Sequence, residues 1–255
     1  KGYDMAAMEK AGLITRKENG KIFDRFVNRI TFPFYSLSGL VIGFTGRSLE
    51  KDTQCKYLNS PETPLFHKGK TLFGIYQARQ EISKSDKCYL VEGQFDVLSF
   101  VQSGYPNTVC GSGTALTLDQ VRIIKKFTRN VTAVYDGDAA GMKASVRNMD
   151  IMLAEGMNVR AVLLPEGEDP DSFARKMGTE KLAKFLKKQE TDFISFIYKA
   201  FESEMDDPIR KTEVLRIIAQ SISVVPDKLQ RQAYIVSLAE RFNADGELIT
   251  NLVAE

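Results

Sequence analysis

A chain of 255 residues, 43% hydrophobic and 27% charged, is long enough for a sizeable core and too apolar for disorder, and no apolar run approaches the ~18 residues of a membrane span. Three cysteines without a C-x-x-C pair speak against a structural zinc site, and the lone His67 speaks against chemistry built on a histidine dyad. The net charge of +2 hides an asymmetry: residues 1–85 carry 14 Lys and Arg against 8 Asp and Glu, a net +6, and the remainder nets −4. That basic third is a polyanion surface or an ordinary solvated face, and charge alone leaves the choice open.

In chain order, residues 1–85 mix strand-like runs at 29–34 and 40–44 with Gly, Pro and Ser turn signals, which reads as α+β with few helices. Residues 86–170 alternate apolar runs at 87–91, 108–110, 130–135 and 159–164 with helical patterns at 95–103, 117–127 and 139–155. Cys88 and Cys110 fall in two of those runs and read as buried free thiols. Thr117 with Gln120 forms a capping-box signature, and Gly104 and Gly156 stand where helices should stop. Such alternation predicts an α/β unit, a parallel sheet with helices on its faces. Residues 171–255 read as helices with apolar stripes such as Phe193, Phe196, Ile197 and Phe201, punctuated by Pro208 and Pro226, and a stripe of this kind is a packing core by default.

Acids concentrate after three of the predicted strands: Glu92-Gly93-Gln94-Phe95-Asp96, Asp136-Gly137-Asp138 and Glu168-Asp169-Pro170-Asp171. A parallel sheet binds ligands beyond the carboxyl ends of its strands. Carboxylates converging there would repel by roughly 4 kcal/mol per close pair at about 4 Å and an effective dielectric of about 20, so a cation belongs among them. Hard oxygen donors and room for phosphates suit Mg²⁺, with Mn²⁺ the alternative. Asp138 and Asp169 also suit helix capping, and Asp169-Pro170 is a standard helix opening. Glu92 ends a strand before a glycine and has no capping task.

These residues resemble a known family. Glu92 with Asp136-Gly137-Asp138 and a following Gly141 is similar to the Toprim domain of bacterial primases, type IA and II topoisomerases and certain nucleases. The segments Arg25-Phe26, Arg29-Ile30-Thr31-Phe32-Pro33, Gly43-Phe44-Thr45-Gly46-Arg47, Lys56-Tyr57-Leu58-Asn59-Ser60-Pro61-Glu62-Thr63, Phe66-His67-Lys68-Gly69 and Gly113-Thr114-Ala115-Leu116-Thr117 narrow the resemblance to the DnaG-type primase catalytic core. Gln94-Phe95 departs from the family's aromatic-then-aliphatic pair, and Gly111-Ser112 stands where an apolar residue is usual.

The resemblance implies a Toprim-like sheet at 86–170, preceded by a basic α+β subdomain at 1–85, truncated at its start, and followed by a helical subdomain at 171–255. It implies a nucleotidyltransferase making short RNA primers on single-stranded DNA during replication, with ribonucleoside triphosphates as substrates and an RNA–DNA hybrid as product. Glu92, Asp136 and Asp138 would be catalytic and hold metal, with Asp96, Asp169 and Asp171 as further ligands. Arg25, Arg29, Arg47, Lys56 and Lys68 would contact nucleotide or template phosphates, and Tyr57 and Phe66 are candidates for either base stacking or packing. Zinc and the helicase contact are expected in family domains outside this chain, and the setting implied is the bacterial cytoplasm, away from membrane. A Toprim nuclease would cut template without ribonucleotides, and an adaptor would bind strands without metal or turnover.

Overall fold

A computed structural model of the chain describes residues 2–50, 55–113, 115–136 and 142–254. The expected metal ligand Asp138, with Gly137 and Gly141, lies outside the described residues. Helix α1 (Met5–Lys10), capped by Asp4, leads into a small hairpin of β1 (Ile14–Arg16) and β2 (Ile22–Asp24). An antiparallel sheet follows in the order β3 (Arg29–Tyr35), β4 (Val41–Ser48), β5 (Tyr57–Asn59). Helix α2 (Ile75–Ser85) was not read from the sequence: only Ile75, Ala78 and Ile82 are buried, and the polar residues between them hide the stripe.

The second sheet runs β6 (Cys88–Val91), α3 (Gln94–Gln102), β7 (Thr108–Cys110), α4 (Leu118–Lys125), β8 (Asn130–Tyr135), α5 (Met142–Ala154) and β9 (Asn158–Leu163). Helix α6 (Pro170–Gln189) then leads to the short strand β10 (Thr191–Asp192). The spatial order is β10-β9-β8-β6-β7, parallel except for β10, which pairs antiparallel with β9 and was not foreseen. Thr117 and Gln120 form the reciprocal capping box, and Gly104 and Gly156 follow α3 and α5 with φ of 92° and 71°. The chain closes with α7 (Phe193–Ala200), α8 (Pro208–Ser223), α9 (Lys228–Phe242) and α10 (Gly246–Ala254). Among the described residues no helix is long and apolar enough to cross a membrane.

Alternation along the central strands builds two cores. Cys88, Leu90, Val131 and Ala133 face α4, α5 and the C-terminal helices, while Tyr89, Val91, Val134 and Val162 face α3, α6 and the antiparallel sheet. Phe34 of β3 is fully buried against Phe66 and Phe73 with ring centroids 5.0 and 5.6 Å away, which fixes one sheet against the other. The strand order matters most for the site. The chain leaves β6 to one side for β7 and returns on the other side as β8, so the switch point lies between β6 and β8, where such sheets open a crevice.

Candidate active site

Glu92 directly follows β6 and Asp136 directly follows β8, so the two acids flank that crevice. A cavity of about 460 Å³ opens there, walled on one side by Glu92, Asp96, Asp136, Asp169 and Asp171 and on the other by Arg47 and Tyr57 of the antiparallel sheet and by Lys56 just before β5. Five of the six acids expected from the sequence therefore share one space.

Each acid is held differently. Asp96, in the first turn of α3, is buried, and its two oxygens accept the Gly93 N–H at 2.7 Å and the Asp171 N–H at 3.1 Å, tying α3 to α6. A Cβ on Gly93 would stand 3.1 Å from the Asp96 carboxylate, so the turn after Glu92 has little room for a larger residue. Burial pushes the Asp96 carboxyl up to about 7, and Asp136 and Asp169 add repulsion, against the lowering effect of the two N–H donors. Asp171 accepts from the Ser99 hydroxyl at 2.5 Å and from Arg175 at 2.7 Å. Asp169 caps α6 through the Ser172 N–H at 2.6 Å with Pro170 in the first turn, so the capping reading of this residue holds while its side chain also reaches the cavity.

The expected cations divide. Arg47 and Lys56 line the cavity, whereas Arg25 donates to the Asn59 carbonyl at 3.0 Å and Arg29 to the carbonyls of Cys55 and Gly46 at 2.9 and 3.1 Å. Those two guanidinium groups brace the wall from behind. Lys68 lies outside the cavity, its carbonyl accepting from Ser112 at 2.7 Å and from Gln120 at 3.0 Å. Phe66 is fully buried and cannot stack on a base, while Tyr57 is exposed at the cavity rim. Arg175, four residues after Asp171 on α6, lines the same cavity and was missed; its i,i+4 spacing from an acid in a capped first turn was the available signal.

Among the described residues no three acids, histidines or cysteines stand close enough to enclose a metal ion by themselves. The donor set nonetheless fits Mg²⁺ in kind, because that ion takes one or two carboxylates and completes its shell with water and phosphate oxygens.

Three family models match the chain: DNA primase catalytic core, N-terminal domain, at residues 1–79; Toprim-like at residues 89–174; and DnaB-helicase binding domain of primase at residues 202–247. The third match falls on this chain's own C-terminal helices, a stretch that the sequence reading had assigned to packing alone. A DNA primase of Staphylococcus epidermidis is 36% identical over 251 residues, covering 98% of this chain and 42% of the relative, so the chain spans under half the length of that protein. A DNA primase domain from Pseudomonas aeruginosa superposes with a TM-score of 0.87 at 34% identity, covering 100% of this chain and 82% of that one. A DnaG primase catalytic domain bound to single-stranded DNA superposes with a TM-score of 0.83 at 32% identity over 95% of this chain and 77% of that domain.

Proposed function

Because the chain belongs to the family of DnaG-type DNA primase catalytic cores, we propose that it synthesises short RNA primers on single-stranded DNA by metal-dependent nucleotidyl transfer. The observation that carries this reading is the pairing of Glu92 and Asp136 at the sheet's switch point, facing Arg47 and Lys56 across one cavity. A ribonucleotide 3′-hydroxyl gives up its proton to solvent as its oxygen forms a bond to the α-phosphorus of the incoming nucleoside triphosphate, and the bond to the bridging oxygen breaks as pyrophosphate leaves. Glu92 and Asp136, joined by Asp138 through the family resemblance, would hold the ions, with Asp96, Asp169 and Asp171 in support. Bound Mg²⁺ would activate the attacking oxygen and neutralise charge on the leaving one. Arg47 and Lys56 would orient the triphosphate or template backbone.

The match at residues 202–247 supports a replicative helicase as a partner met through α8 and α9, and the bacterial cytoplasm is the setting this implies.

The test is primer synthesis from labelled ribonucleotides on single-stranded template with Mg²⁺ or Mn²⁺. Glu92→Gln or Asp136→Asn is expected to lower synthesis by about 10²-fold or more with the melting temperature little changed. Undiminished synthesis by both variants overturns the metal site, and template cleavage without ribonucleotides moves the reading to a nuclease.

A further inference from the structure

Arg47 is held in a way that points beyond the carboxylates to a residue with no charge. Arg47 and Tyr57 are direct partners across β4 and β5, and Phe32 pairs with Thr45 two residues from Arg47, so the pleat turns Phe32, Arg47 and Tyr57 to one side of the sheet. All three meet the ring of Phe95 in the first turn of α3. The Arg47 guanidinium carbon stands 4.2 Å from that ring's centroid, Phe32 lies 5.3 Å away at 77°, and Tyr57 lies 6.3 Å away at 64°. Among the described residues Arg47 has no ion pair and donates no hydrogen bond, unlike Arg25, Arg29 and Arg175.

We propose that Phe95 is a positioning residue for nucleotide binding, holding the Arg47 guanidinium across the cavity from Asp96 and Asp171 so that it meets a ligand phosphate already oriented. This rests on the nucleotidyl-transfer reading above. A contact with a ring uses none of the five N–H donors of arginine and leaves them for bidentate recognition of phosphate. It also removes side-chain freedom before the ligand arrives, which is where preorganisation acts. Phe32 and Tyr57, edge-on to the same ring, keep the ring itself from turning away.

Steady-state synthesis and direct titration with a ribonucleoside triphosphate test the proposal. Phe95→Leu is expected to raise KM and the nucleotide dissociation constant about fivefold, with kcat within about twofold of wild type. Phe95→Trp keeps an aromatic face and is expected to retain wild-type KM; the chain has no other tryptophan, so its fluorescence reports binding without turnover. In an Arg47→Ala background Phe95→Leu should add nothing, since its effect runs through Arg47. Additive losses, or equal losses in Leu and Trp variants with a lowered melting temperature, reduce Phe95 to packing and overturn the proposal. If the wild type binds ribonucleotide and Phe95→Leu binds it equally well, only this proposal falls. A wild type that binds no ribonucleotide overturns the parent reading with it.

Discussion

Asp96 carries two structural hydrogen bonds on a carboxyl group that its surroundings make reluctant to ionise. Its two oxygens accept N–H groups at the starts of α3 and α6, yet burial first, then the charges of Asp136 and Asp169, push it up to about 7. An acid raised in the fold keeps a proton that the unfolded chain has already released. Stability from this group is therefore highest near pH 4, declines as pH rises towards 7, and is flat above that. Urea unfolding in chelator from pH 5 to 8 should show the wild type losing about 2 kcal/mol relative to Asp96→Asn, which has no such titration. Parallel profiles for the two proteins would mean that Asp96 is ionised throughout. The same residue shows what sequence alone misses: its position after Glu92 was legible, while the Asp171 N–H it accepts comes from the first turn of α6 and is brought near only by the fold.

At the scale of elements, Glu190 closes a join that no local pattern announces. At the C-terminal end of α6 it accepts from Lys87 at 2.5 Å, just before β6, and from the Thr132 hydroxyl in the middle of β8. Burial alone would raise its carboxyl, but the hydrogen bonds from Lys87 and Thr132 outweigh that and hold it below the ordinary 4.5. A depressed carboxylate contributes stability that is present above its unfolded value and lost as pH falls through the folded one. Glu190→Gln should cost about 2 kcal/mol at pH 7, with the deficit narrowing as pH drops below about 4.5. A deficit independent of pH would assign the loss to packing. The four parallel strands and the helices between them were readable because apolar runs, caps and stop glycines agreed. Strand β10 was not, since two polar residues pairing with β9 carry no periodic signal. Phe95 and Arg175 escaped for a related reason: their roles depend on Arg47 from another sheet and on a cavity that exists only after the two sheets pack.

Across the whole molecule, a basic first third at net +6 meets a remainder at net −4, and the cavity lies where they join. Positive charge was visible in the sequence, but its destination was not. Arg25 and Arg29 direct their donors at carbonyls of residues 46, 55 and 59, which only strand pairing brings within reach, whereas Arg47 and Lys56 face the cavity. Binding of single-stranded DNA driven by phosphate neutralisation weakens with salt in proportion to the phosphates contacted, by about 0.7 in logarithmic slope for each. Lys56→Ala should therefore flatten the plot of log affinity against log salt by about 0.7 and leave the unfolding midpoint where it was. Arg29→Ala should do the reverse, leaving the slope unchanged and lowering stability by about 2 kcal/mol as its carbonyls lose a charged donor. Measuring both quantities on both variants separates the two kinds of cation. An Arg29→Ala protein with a flatter slope and full stability would put that side chain on the DNA and return it to the role the family resemblance implies.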